Sequence, residues 1–189
     1  MDAGVTDETL MCRYRDGDAA SFDVLYDRHK DSLYRFFVRQ CSATPVAKEL
    51  FQDVWLGLIH SRAQYEPTAQ FSTYLYRLAK NRLIDHYRKM GRRKALAELT
   101  NADISEVPGD ESAQPDVRVI GEQLGDRIAA GIDALPEAQR CVFLMYQESD
   151  MSIDDIASVM QVNRETIKSR LRYAIAKLRR YCQEESDDS

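Results

Sequence analysis

Glycine and proline are scarce, with 8 and 5 among 189 residues. A sheet protein punctuated by many tight turns needs more of both. Long stretches rich in Leu, Ala, Arg, Glu and Lys favour helices instead. Cysteine is also sparse: Cys12, Cys41, Cys141 and Cys182 are scattered, and so are His29, His60 and His86. Zinc-site spacing is therefore missing, and neither a metal nor any other cofactor is expected. No run approaches the ~20 apolar residues that span a bilayer. The first ten residues have neither a basic start nor an apolar core, so isolated cysteines read as reduced thiols of a soluble, cytoplasmic protein. There is no Gly-rich phosphate loop and no clustered set of acids for metal-assisted chemistry, so a catalytic site is not expected.

What is present is charge, unevenly placed. Hydrophobic residues make up 44% and charged residues 30%, enough for a globular core. The net charge of −5 argues at first against a nucleic-acid partner. Residues 77–94, however, hold eight Arg or Lys against the single acid Asp85. Residues 164–180 hold seven against Glu165, and residues 95–133 between them hold nine acids and two arginines. Two basic segments flank an acidic one.

Periodicity fills in the organisation. Leu10, Met11 and Tyr14 share one helix face. After Gly17 and Asp18 a new stripe runs from Phe22, Leu25 and Tyr26 to Leu33, Phe36 and Phe37. Thr44 is placed to cap the next helix, with Pro45 at its first position. That helix carries Ala47, Leu50, Phe51, Val54, Leu58 and Ile59. Residues 63–72 are polar and contain Pro67, which predicts a loop. A basic helix follows over 73–90. The pattern is lost after Gly91, and residues 100–116 have the composition of a flexible acidic tether. Periodicity resumes near Val117. The expectation is an all-α protein of two small helical domains, 1–95 and 119–189, joined by a linker over 96–118.

The last two helices carry the sharpest local signal. Ser152 and Asp155 form a capping-box pattern ahead of Ile153, Ile156, Ala157 and Met160. Gln161, Val162 and Asn163 make a short turn, and Asn163 can cap a long basic helix. This is helix-turn-helix spacing. At 100° per residue, Ile167, Leu171, Ala174, Ile175 and Leu178 pack inward, while Lys168, Ser169 and Arg172 face out to reach base edges. Arg179 and Arg180 suit phosphates. The helix over 73–90 is the second signal. Arg77, Lys80, Asn81 and Arg88 are expected opposite Leu75, Leu78, Ala79 and Leu83, with Tyr74, Tyr76 and Tyr87 interleaved. Cations neutralise phosphates, Asn bonds a base edge, and tyrosines stack on unpaired bases. Tyr65 and Phe71, in or beside the preceding loop, could cradle an extruded base.

Four segments, in order, resemble extracytoplasmic-function (ECF) sigma factors of bacterial RNA polymerase. Residues 17–37 (GDAASFDVLYDRHKDSLYRFF) look like the opening of sigma region 2. Residues 46–59 (VAKELFQDVWLGLI) are similar to its core-polymerase-binding helix. Residues 71–89 (FSTYLYRLAKNRLIDHYRK) resemble its promoter-melting helix, and residues 135–180 resemble region 4. The resemblance implies a factor that binds core polymerase at the β′ clamp and β flap and initiates transcription at promoter DNA, with an anti-sigma protein as a further partner. It places Glu49, Gln52, Asp53 and Leu56 against polymerase. It assigns Tyr65, Phe71, Tyr74, Arg77, Lys80, Asn81 and Arg88 to the −10 element. It assigns Arg164, Thr166, Lys168, Ser169, Arg172 and Tyr173 to the −35 element. Three positions depart from the family pattern. Tyr74 stands where Trp is usual, Lys48 lies in a commonly acidic run, and Glu165 replaces a small residue.

The competing reading is a conventional helix-turn-helix regulator with an N-terminal helical interaction domain. It leaves the basic helix over 73–90 without a role, and it requires duplex binding without polymerase.

Overall fold

The computed structural model describes residues 4–41, 43–100 and 122–183, and the described residues form helices and short connections with no strand. Helix α1 spans Asp7–Arg15, α2 Ala19–Gln40, α3 Thr44–Ser61, α4 Phe71–Lys89 and α5 Arg93–Thr100, with a 3-10 turn over Arg62–Gln64. In the second half, α6 spans Glu122–Asp133, α7 Glu137–Glu148, α8 Ile153–Met160 and α9 Arg164–Gln183. No described helix is long and apolar enough to cross a membrane.

The apolar stripes read from the sequence become the core. Leu25, Leu33, Phe36 and Phe37 of α2 are buried with Ala47, Leu50, Val54 and Leu58 of α3 and Leu75, Ala79 and Leu83 of α4. Each fully buried Leu, Val or Phe among them contributes on the order of 2 kcal/mol. Trp55 sits edge-on to Phe22 and Tyr26, with ring centroids 5.8 and 5.0 Å away. All four cysteines are free, and burial pushes the Cys41 and Cys141 thiols up to about 12, so neither is a ready nucleophile.

Three boundaries differ from expectation. Helix α3 begins at Thr44 behind Ala43, which supplies no side-chain cap, so Thr44 is already helical. Helix α4 begins at Phe71 rather than 73 because the Glu8 carboxylate accepts from the Phe71 N–H at 2.7 Å, a cap delivered from α1. Residues 96–100, expected to begin the linker, instead complete α5, which ends at Thr100. Gly91, at φ +66°, turns the chain into α5, and Ala95 and Leu99 bury its inner face. The rest of the expected linker, 101–118, and residues 119–121 and 184–189 of the expected second domain lie outside the described residues.

The two halves pack against each other through α2 on α6 and α7, α4 on α8, and α5 on α7. The rear contact centres on Glu137, 7% exposed, at the start of α7. Its carboxylate accepts from Gln40 Nε2 at 2.8 Å and from the Tyr87 hydroxyl at 2.9 Å. Arg140 and Arg92 each stand 3.6 Å from its other oxygen. Burial pushes the Tyr87 phenol far up, with the Glu137 charge adding to it.

Candidate nucleic-acid interface

Helix α4 presents two polar stripes. Asn81 and Arg88 are exposed, and Arg88 pairs with Asp85 at 2.8 Å. Thr73, Arg77 and Lys80 recur at i, i+4 and i+7 and bond to residues of α8, with Thr73 and Lys80 buried and Arg77 exposed. Lys80, expected on the open face, is only 4% exposed. Its ammonium donates to the Val159 and Met160 carbonyl oxygens at 3.1 Å each. Those carbonyls end α8 and lack partners within the helix, so a cation at this pole is favourable. Burial nonetheless lowers the Lys80 pKa. Arg77 donates to Ser158 Oγ at 3.2 Å, and Thr73 Oγ1 donates to Asp155 Oδ1 at 3.3 Å.

The aromatic residues divide. Tyr76 and Tyr87 are buried, as are Tyr65 and Phe71, at 3% and 0% exposure. None of these four offers a face to a base, because each fills the apolar side of α4 or the base of the loop beside it. Tyr74 is half-buried: its hydroxyl hydrogen-bonds Ser61 Oγ at 2.6 Å, and its ring meets Tyr65 edge-on at 5.1 Å. Arg15 donates to the Tyr65 carbonyl at 3.1 Å, which ties the loop to α1. Beside this loop lies a cleft of about 720 Å³. Its walls include Pro67, Thr68 and Gln70 and the acids Asp7, Glu8, Glu148 and Asp150.

The helix-turn-helix forms as its spacing predicts. Ser152 and Asp155 close a reciprocal capping box at α8. Asn163 Oδ1 accepts from the Thr166 N–H at 2.7 Å and so caps α9. Between them Gln161 adopts the left-handed region, φ 59° and ψ 42°, where a Cβ costs about 1–2 kcal/mol. Gln161→Gly should therefore stabilise the protein by about 0.5–1 kcal/mol after glycine's own entropic cost. A lower melting temperature for that variant would refute the strain.

On α9, Arg164, Lys168 and Arg172 are exposed, while Thr166, Ser169 and Tyr173 are half-buried beside them. Arg172 lies over the Tyr173 ring at 5.5 Å. Lys168 pairs with Glu165 at 2.8 Å, so the departure at 165 holds the lysine rather than standing alone. On α3, Glu49 and Gln52 are exposed, Asp53 is half-buried, and Leu56 is 51% exposed among them. A large apolar side chain in that setting suits a protein partner. Sequence reasoning missed Glu137, Glu148 and Ser158, which hold the halves together. Their partners lie 72 or more residues away in most cases, and no local pattern marks them.

Two family models match this chain: Sigma-70 region 2 over residues 25–93, and Sigma-70 region 4 over residues 126–178. The ECF RNA polymerase sigma factor RpoE of Cereibacter sphaeroides is 30% identical over 174 residues, covering 91% of this chain and 92% of its own length. The SigK factor of Mycolicibacterium vanbaalenii is 28% identical over 92% of this chain and 87% of its own. Among solved structures, CnrH in complex with the cytosolic domain of CnrY superposes with a TM-score of 0.68 at 20% identity, covering 95% and 98% of the two chains. The sigma factor RpoE bound to the anti-sigma factor NepR from Bartonella quintana gives 0.66 at 21%, covering 87% and 98%. The basic helix and the helix-turn-helix thus fall inside matched regions 2 and 4 in the expected order, and the chain belongs to the ECF family of RNA polymerase sigma factors.

Proposed function

We propose that this chain docks on core RNA polymerase through the outer face of α3, reads the −35 duplex with the N-terminal half of α9, and melts and holds the −10 strand with α4. The observation that carries the reading is the exposure of Lys168 and Arg172 at the base-reading end of a capped recognition helix. Thr166, Arg164 and Tyr173 flank them for phosphate and sugar contacts. On α4, Asn81, Arg77, Lys80, Arg88 and Tyr74 take the strand, and Tyr65 and Phe71 anchor the loop from within. The chain supplies recognition and polymerase supplies the chemistry, so it acts in the cytoplasm without a catalytic site of its own. The RpoE relative solved with NepR supports an anti-sigma protein as a further partner.

In-vitro transcription with core polymerase on a genomic fragment library tests the whole reading. Transcripts should start at discrete sites that share an upstream and a downstream element. Duplex binding by the free chain with no transcript from any fragment would favour the conventional regulator.

The docking face has its own test. Gln52→Ala with Asp53→Arg should weaken capture of core polymerase about 10-fold, equivalent to ~1.4 kcal/mol. Neither side chain belongs to the buried set of α3, so the helix should remain folded. Capture at wild-type level by the folded variant would remove α3 from the interface.

A further inference from the structure

Helix α1 lies outside the matched region 2, which begins at residue 25, yet it holds both ends of the loop that precedes α4. At the near end, Arg15 donates to the Tyr65 carbonyl at 3.1 Å, and the Arg62 guanidinium lies over the Tyr14 ring at 5.2 Å. At the far end, the Glu8 carboxylate accepts from the Phe71 N–H at 2.7 Å and starts α4. Between these two ties, residues 66–70 are all exposed. Inside the loop the Thr68 N–H donates to the Glu66 carbonyl at 2.8 Å, a contact too local to set the loop's direction. Helix α1 itself is a fixed support. Leu10 and Met11 are fully buried and Tyr14 nearly so. Asp7 and His29 Nε2 are hydrogen-bonded at 2.6 Å, which joins α1 to α2, and the His29 ring stands 5.1 Å from that of Phe71. Glu8 and Arg15 are about two turns apart, so one face of α1 meets both ends of the loop.

We propose that Glu8 and Arg15 are positioning residues for −10 recognition: α1 clamps the loop over 66–70 at both ends and presents it in one conformation to the strand that α4 holds. This rests on the assignment of the −10 strand to α4. Neither residue needs to touch DNA. A loop that spends only part of its time in the competent conformation binds its ligand weaker by that fraction. Freed at one end, it also yields to a wrong base that a fixed loop would clash with, so affinity and discrimination fall together.

The test uses holoenzyme, assembled from core polymerase and the full chain. Its ligand is a single-stranded non-template oligonucleotide from a promoter mapped by the transcription assay, and versions substituted across the −10 element measure discrimination. Glu8→Ala should weaken binding of the cognate oligonucleotide about 10-fold, equivalent to ~1.4 kcal/mol, and that of the substituted ones much less. A lost helix cap has an effect of that size. Glu8→Gln should restore both affinity and discrimination, because its amide oxygen can accept from the same Phe71 N–H. Binding of the −35 duplex and capture of core polymerase should stay at wild-type levels. General destabilisation would lower all of these together and leave base preference alone. Glu8→Ala holoenzyme with wild-type discrimination, or Glu8→Gln as defective as Glu8→Ala, would overturn the clamp and leave the −10 assignment standing. A wild-type holoenzyme indifferent to every base substitution would overturn the assignment itself, and the clamp with it. If circular dichroism shows that Glu8→Ala does not fold, Arg15→Ala takes its place, with Arg15→Lys as the conservative partner. Discrimination should then narrow in Arg15→Ala, and its persistence there would overturn the clamp.

Discussion

Arg140→Ala should cost about 3–5 kcal/mol of stability, the usual penalty for removing one partner of a buried ion pair. Arg140 is 8% exposed. One terminal nitrogen donates to the Gln40 carbonyl at 3.3 Å, and the other donates to the Asp133 and Leu135 carbonyls at 3.1 Å each. It also faces the Glu137 carboxylate at 3.6 Å. Deletion leaves three carbonyls without that donor and a buried carboxylate without its nearest buried cation. Arg92, at the same distance but half-exposed, offers partial compensation and pulls the expected loss toward the lower end. Urea unfolding should show a lower midpoint with an unchanged slope. Glu137→Gln with Arg140→Met removes both charges while roughly keeping volume, so the double variant should lose less than Arg140→Ala alone. A loss below about 1 kcal/mol for Arg140→Ala would show that water or rearrangement replaces the pair.

The contacts between the two halves and the recognition helix differ in how far apart their partners sit, and that decided what could be read. Ser152 with Asp155, and Asn163 with Thr166, are contacts over three residues, so residue type and spacing alone place both caps. The stripe of Leu75, Ala79 and Leu83 is equally local. Lys80 is the opposite case. Its chemistry is that of a solvated face, and only α8, arriving 79 residues later, turns it inward. Thr73, Arg77 and Lys80 had helix-contact spacing all along, yet periodicity arguments count apolar residues, and these three are polar. Tyr65 and Phe71 failed for a related reason. An aromatic in a polar loop satisfies base stacking and core anchoring equally well, and the deciding contacts, Arg15 on the Tyr65 carbonyl and His29 5.1 Å from the Phe71 ring, come from other helices. Helix α5 starts four residues after α4 ends, beyond the last clear stripe, and its burial of Ala95 and Leu99 depends on packing against α4 and α7.

Separating duplex reading from strand melting gives the largest effects expected on function. Lys168→Ala or Arg172→Ala should each lower affinity for the upstream duplex by about 1–3 kcal/mol, roughly 5- to 150-fold, and relax sequence preference there. Lys168 carries an added consideration, because Glu165 already holds it at 2.8 Å. Its release from that surface pair costs little, since exposed ion pairs contribute about 0–1 kcal/mol. Glu165→Ala should therefore leave duplex affinity unchanged or improve it, unless Glu165 accepts from a cytosine amino group. Asn81→Ala should act elsewhere. Asn81 is exposed on α4, so its loss does not disturb the core. Permanganate footprinting should show reduced thymine reactivity in the open complex with upstream binding intact. The two α9 substitutions should instead lower occupancy while leaving the melted tract of each bound complex unchanged. If Asn81→Ala left melting untouched and altered the upstream preference, the division of labour between α4 and α9 would be wrong.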